Sequence, residues 1–235
     1  MRPASSNRAD EAKSGARTIE QSKRKTKADI AAEQIEAAIV NCELAPGAVI
    51  VEADLTEWLG LGRTPVREAL VTLANANLLR LGRGGVVIPE LNAMTMLKLL
   101  ELREPIERLC IEKAIDRKTA ADTVDFADLV RVLGDVSAAD RPAFMAVLWD
   151  IHKALATASQ NEFIHTALRT TQGLSRRYWG HYADEDQQAR AAEIYAGLLQ
   201  ALLDSDTPAA LGQSEELMRY LRQFTLGTMQ KMAGE

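Results

Sequence analysis

The sequence predicts a mostly α-helical protein: a small N-terminal unit of helices closed by a β-hairpin, then an all-α antiparallel helical bundle. Three observations predict it. Across residues 28–90, helical apolar spacing is followed by two short runs, Leu79–Leu81 and Val86–Ile88, joined by Gly82-Arg83-Gly84-Gly85, a hairpin signal. From residue 91 onward, apolar residues recur at helical spacing without strand-like alternation, and glycine and proline are sparse, as an antiparallel bundle requires. Residues 1–27 carry no periodic apolar positions and are expected to be a disordered arm. At 235 residues the chain is long enough for two domains, each with its own core.

Composition narrows the class. No run of about 18 apolar residues occurs, so no membrane span is expected, and the N-terminus lacks the apolar core of a secretory signal. Cys42 and Cys110 fit no metal spacing and imply no disulfide framework; a reducing cytoplasm is the simplest compartment. The net charge of −5 argues at face value against nucleic acid, but its distribution does not. Residues 1–27 hold eight Lys/Arg against three acids, residues 28–90 four against nine, and residues 91–235 sixteen against twenty-one. The four cations of the middle block are Arg63, Arg67, Arg80 and Arg83, gathered in one helix start and the hairpin. A local basic patch on an acidic domain suffices for DNA.

In chain order, the first helix is expected over about Ala28–Val40, with Ile35 and Ile39 inward and Asn41 as a left-handed cap. Leu44-Ala45-Pro46-Gly47 turns the chain into a short strand at Val49–Val51, and a helix follows at about Ala53–Leu59. Gly60-Leu61-Gly62 then leads into Arg63-Thr64-Pro65-Val66-Arg67-Glu68-Ala69-Leu70. Pro65 is tolerated because first-turn N–H groups have no intrahelical partner. Val66, Ala69, Leu70 and Leu73 form the buried face, which leaves Arg63, Thr64 and Arg67 at a cationic forward end suited to phosphate and a major groove. Asn77 is a residue that accepts a positive φ.

The ordered set from Ile39 to Ile88, with Pro46-Gly47, Glu52, Leu55, Arg63 through Leu70, Leu78-Leu79 and Arg83-Gly84, resembles the winged helix-turn-helix of GntR-family bacterial transcription regulators. The remainder resembles the helical effector domain of the FadR-type branch, the FCD group. The resemblance implies a DNA-binding regulator that sits on a palindromic operator as a homodimer and answers to a small molecule. Arg63, Thr64, Pro65 and Arg67 would then contact DNA, with Arg83 and Gly84 at the wing. In the family, position 62 is usually Ser or Thr; Gly62 has no hydroxyl for phosphate, so one phosphate anchor is expected to be missing. The basic arm is either a solvated tail or a nonspecific phosphate-touching segment.

Pro89 to about Ala93 is the expected domain joint, and a helix over about Ala93–Asp116 carries Leu99, Leu102, Ile106 and Leu109/Cys110 on one face. Arg103 shares that stripe and points inward, where a guanidinium needs a carboxylate. That carboxylate is either Glu107 one turn on or an effector, as the FCD resemblance implies. Phe144, Val147, Leu148, Ile151 and Leu155 mark another helix; Tyr195, Leu198, Leu199 and Leu202 a third; Leu217, Tyr220, Leu221 and Phe224 the last. Gly134, Gly173, Gly180 and Asp206-Thr207-Pro208 are the expected turns.

FCD domains often hold a metal with an Asp–His pair at i, i+4 and two more histidines. Here His152 survives, but Leu148, Tyr195 and Tyr220 stand at the other three positions, and Asp150 is rotated about 200° from His152 on a helix. The family metal site is therefore expected to be degenerate, with no metal or other cofactor, and Arg103, His152, Tyr195 and Tyr220 are the candidate contacts for an organic-acid effector. His152 alone could equally be a satisfied core histidine. Arg176-Arg177-Tyr178-Trp179-Gly180-His181-Tyr182 concentrates aromatic residues, as a lid, a partner surface or packing at a helix end.

Enzyme signatures are absent: no P-loop, no G-x-S-x-G elbow, no H-E-x-x-H. The reading is a non-enzymatic regulator. Its rivals are a ligand-independent DNA-binding factor with a vestigial pocket, and a helical enzyme with an accessory DNA-binding head.

Overall fold

The computed structural model describes residues 25–137 and 139–233. Helix α1 (Lys27–Val40) starts at a capping box in which Thr26 and Asp29 satisfy one another's backbone N–H groups. The expected arm over residues 1–27 thus lies almost wholly outside the described residues, and its last residues form the start of α1. At the other end Asn41 keeps a right-handed conformation while Cys42 takes φ +58°, so the left-handed position falls one residue later than expected.

Strand β1 (Val49–Ile50) is followed by α2 (Glu52–Leu59), which ends on Gly60 at φ +62°, and by α3 (Arg63–Asn75). Asn77 takes the expected positive φ, +58°. Strands β2 (Arg80–Gly82) and β3 (Gly85–Val87) sit one residue nearer the hairpin tip on both sides than the apolar runs suggest. Leu79 and Ile88 are buried just outside the ladder, so apolarity extends past the paired residues. The sheet is antiparallel in the order β1-β3-β2, with Gly82 opposite Gly85. A Cβ on Gly85 would lie 2.4 Å from the Ile50 carbonyl oxygen, so only glycine lets β1 close on the wing.

Helix α4 (Ala93–Arg117) begins at Asn92, whose side chain accepts from the Thr95 N–H. Then come α5 (Ala120–Asp135), α6 (Arg141–Ala158), α7 (Glu162–Tyr182), α8 (Glu185–Leu203) and α9 (Thr207–Ala233). The inward face of α4 differs from the expected one. Met96, Leu100, Arg103, Glu107, Cys110 and Ala114 are buried, whereas Leu102 and Leu109 are about half exposed. Arg103 and Cys110 do point inward as expected, and Arg103 takes Glu107, one of its two expected partners; the departure is that Leu102 and Leu109 turn outward. Gly173 and Gly180 are not turns either; both lie inside α7. A Cβ on Gly173 would touch Leu78, and one on Gly180 would press on Met145: these glycines serve close helix packing.

The head core gathers Ile35, Ile39, Leu55, Val66, Leu70, Leu73 and Ile88; the bundle core includes Phe126, Phe144, Ile151, Leu198 and Leu202. The two interlock. Val40 of α1 packs in the bundle core, and Leu174 of α7 packs against the head core. Arg177 adds a hydrogen bond, Nη2 donating to the Pro89 carbonyl at 2.7 Å, which ties the interdomain joint to α7.

Candidate nucleic-acid interface and interior polar site

The face of α3 opposite Val66, Ala69, Leu70 and Leu73 is open. Arg63, Thr64 and Arg67 are exposed and Pro65 half-buried. Arg63 and Arg67 are one turn apart and therefore share a face. No side chain caps the helix start: Gly62 is extended (φ −71°, ψ 161°) and offers no acceptor, so the Arg63 and Thr64 N–H groups point forward unclaimed by a cap. At the wing, Arg83 and Gly84 form the exposed two-residue tip between Gly82 and Gly85. Among the described residues, Arg63, Arg67, Arg80 and Arg83 have no salt-bridge partner in the chain. Cations left unpaired beside an uncapped helix N-terminus are what a phosphate backbone requires.

The residues expected to form an effector pocket divide between two places. Arg103, Tyr195 and Tyr220 line one interior cavity, together with Leu148, Ser175 and Arg176. Its volume is about 20 Å³, room for about one water molecule. Arg103 is committed there. Its Nε donates to Glu107 at 2.6 Å, its Nη1 to the Ser175 hydroxyl at 2.9 Å, and both partners of the ion pair are about 2% exposed. Burial opposes the Arg103 charge, but Glu107 more than compensates and holds it above the ordinary arginine value.

His152 faces both ways. Its Nε2 lies 2.9 Å from the Tyr195 hydroxyl, while its Nδ1 has no partner among the described residues and His152 lines a separate cleft beside Trp149. Burial, with Arg103 and Arg176 nearby, holds the imidazole well below the usual histidine range, so it is neutral. Burial also pushes the Tyr195 phenol up to about 12. Tyr220 accepts from Trp179 Nε1 and donates to the Gln187 carbonyl, both at 3.0 Å. The segment Arg176–Tyr182 is largely buried helix, with Trp179 tilted against Phe144 and Tyr178 edge-on to Phe224; packing, rather than a lid, describes it.

These residues do not fit the family metal. Leu148 supplies no donor, the His152 Nε2 is occupied by a protonated phenol, Tyr220 is turned to Trp179 and Gln187, and the buried Arg103 and Arg176 guanidinium groups repel a cation. No cluster of three or more His, Cys, Asp or Glu residues suited to a metal occurs among the described residues.

One constellation is not visible in the sequence. Glu36 of α1 is 3% exposed and faces Arg169 at 3.3 Å and Arg176 at 3.7 Å, both on α7. Burial raises its carboxyl above the ordinary value despite the two guanidinium groups. Arg176, held down to about 10 by burial, also lies over the Trp149 ring, 4.5 Å from its centre. The one signal for it is an acid beside Ile35 on the inward stripe of α1.

Residues 27–88 match the gntR family of bacterial regulatory proteins, and residues 98–220, more than half of the chain, match the FCD domain. The chain belongs to the GntR family. Within it, this regulator is 28% identical over 196 residues to the fatty acid metabolism regulator protein of Pectobacterium atrosepticum, covering 77% of this chain and 82% of that protein. It is 30% identical over 91 residues to the HTH-type transcriptional regulator McbR of Escherichia coli K12, a match spanning 38% of this chain and 41% of McbR. Over the whole fold it resembles the solved structure of E. coli McbR/YncC, with a TM-score of 0.74 at 21% identity, covering 88% of this chain and all of that one. A GntR-type regulator from Rhodococcus sp. RHA1 superposes with a TM-score of 0.68 at 20% identity, covering 86% and 99%. The chain thus joins a GntR-type regulatory domain to an FCD domain, as transcription regulators of the GntR/FadR type do, and among the described residues no helix is long and apolar enough to cross a membrane.

Proposed function

We propose that this GntR regulator is a cytoplasmic one-component switch that binds a two-fold operator as a homodimer and responds to a small organic acid, by binding and not by turnover. The carrying observation is the start of α3: Arg63, Thr64 and Arg67 exposed and unpaired, backed by a fully buried apolar face. Arg63 and Arg67 would meet guanine edges or phosphates, Thr64 and Pro65 make shorter contacts, and Arg83 and Gly84 approach the backbone at the wing. The half-exposed Leu102 and Leu109 on α4 supply apolar surface for a second copy. The helical domain is proposed to work without a metal.

For the effector, Arg103, His152, Tyr195 and Tyr220 remain the family-derived candidates. An acid reaching Arg103 from inside the bundle must displace Glu107 or enlarge a cavity of about 20 Å³. That closure favours a second reading, a ligand-independent DNA-binding factor. Selecting genomic fragments with the purified protein tests the first half: enrichment of a palindromic site, with a footprint two half-sites wide, is expected. Thermal shift against a carboxylate panel separates the two readings, because a sensor gains stability with one acid and a ligand-independent factor with none.

A further inference from the structure

A cleft runs between α1 of the DNA-binding head and helices α6 and α7 of the bundle. It has two chambers of about 160 and 280 Å³ that share Glu33, Trp149 and Lys153 in their walls, far larger than the interior cavity. Its polar atoms are unevenly matched. His152 Nδ1, Gln172 Nε2 and Arg169 Nε are all buried and have no partner among the described residues. His152 and Gln172 are 3% and 4% exposed, and both line the smaller chamber with Arg169 and Lys153. Buried polar atoms are ordinarily satisfied, so a group of them lining one cavity implies something that satisfies them.

What they demand can be read from their chemistry. The Gln172 amide and the Arg169 Nε–H are donors. His152 is a third donor in the tautomer in which Tyr195 donates to Nε2, which puts the remaining proton on Nδ1. Lys153 adds an ammonium, while the one acid of this chamber, Glu33, is already paired with Lys25 at 2.6 Å. Three donors and two cations on the residues lining a chamber whose one acid is already paired favour an anion that accepts only, as a carboxylate does. Beside them stand the Trp149 indole and Ala156, an apolar wall suited to a planar body and not to bare phosphate.

We propose that this interdomain cleft, and not the interior of the bundle, binds a small aromatic monocarboxylate, its carboxylate on His152, Gln172, Lys153 and Arg169 and its ring along Trp149. The site goes beyond the family-derived pocket and rests on the regulator reading only for its consequence at DNA. That consequence follows from Arg169, whose Nη2 holds Glu36 of the head at 3.3 Å while its Nε has no partner among the described residues. A carboxylate in the cleft competes with Glu36 for this guanidinium, so ligand binding and the seating of the head on the bundle are coupled, each altering the other by the same factor.

Calorimetric titration of the full chain with sodium benzoate tests it, with benzamide as the neutral isostere and sodium acetate as the anion lacking a ring. Saturable benzoate binding is expected, with benzamide and acetate each weaker by about tenfold or more, the factor one charge-assisted hydrogen bond or one buried ring is worth. Lys153→Gln, on the rim and exposed, is expected to weaken benzoate by about tenfold while leaving the melting temperature unchanged. Gln172→Leu provides a second, uncharged lesion of the same direction. Tyr220→Phe, at a residue that lines the interior cavity and not the cleft, is expected to leave benzoate affinity as in wild type. No benzoate binding at millimolar concentration, or binding abolished by Tyr220→Phe and indifferent to Lys153→Gln and Gln172→Leu, overturns the proposal. DNA selection without benzoate is scored separately, so failure of the cleft and failure of the regulator reading are distinguishable.

Discussion

Arg103 and Glu107 stand one turn apart on α4, Nε 2.6 Å from Oε2, and neither side chain is more than about 2% exposed. Such a pair stabilises only as a pair, because each charge left alone in the interior loses its solvation without return. Arg103→Leu or Glu107→Leu alone is expected to destabilise the bundle by about 3–5 kcal/mol, and the two together by far less than their sum. A double-mutant cycle in urea checks this. If the double variant is as unstable as the sum of the singles, the pair is not coupled and the interior assignment of α4 is wrong.

At the other end of the molecule, Arg67→Ala is expected to remove specific operator binding and leave the thermal melt unchanged. Arg67 is exposed and touches no acid of its own chain among the described residues, so removing its side chain costs the fold little. At the operator, taking away one bidentate arginine weakens binding by about 1–3 kcal/mol per half-site. Wild-type affinity at matched salt would mean that α3 does not read DNA through this residue.

Purified protein is expected to contain no stoichiometric zinc, nickel or manganese, and a chelator to leave its melting temperature unmoved. Leu148 and the His152–Tyr195 hydrogen bond stand where ligands would be needed. Elemental analysis that finds one tightly held metal per chain contradicts this.

The neutral, buried His152 makes stability depend on pH. Its folded value is depressed by burial, then by Arg103 and Arg176, so its contribution is present above the ordinary histidine value of 6.5 and is lost as pH falls below it. There the unfolded chain takes up a proton that the folded chain refuses, with a limiting slope of about 1.4 kcal/mol per pH unit. His165 and His181 are shifted in the same direction and add to the slope. Glu36, raised by burial, acts oppositely, losing stability as pH rises above the ordinary glutamate value. Urea melts from pH 7 to pH 5 on His152→Gln are expected to show a shallower loss than wild type; identical slopes would place the proton uptake elsewhere.

Local rules make the head legible in the sequence. Pro65 in a first turn, the Val66–Leu73 stripe, Asn77 at a positive φ and the Gly82–Gly85 turn each constrain only a few neighbouring residues, and the cations proposed to read DNA lie in that same span. The absence of a ligand at Leu148 is legible too, since a leucine cannot become a metal ligand in any fold. Helix α7 is not. Arg169, Ser175, Arg176 and Arg177 have the composition of a solvated face, and only tertiary packing brings them onto Glu36, Arg103 and Pro89. On α4 the inward Arg103 and the choice of Glu107 or an effector as its partner were legible, but only packing decided for Glu107 and turned Leu102 and Leu109 outward. The sequence by itself determined the elements of the head and that Leu148 brings no metal donor. Tertiary structure decided which polar residues are buried, which of them are left without partners, and hence where the cleft between head and bundle lies, because burial belongs to the contact between elements and to no element alone.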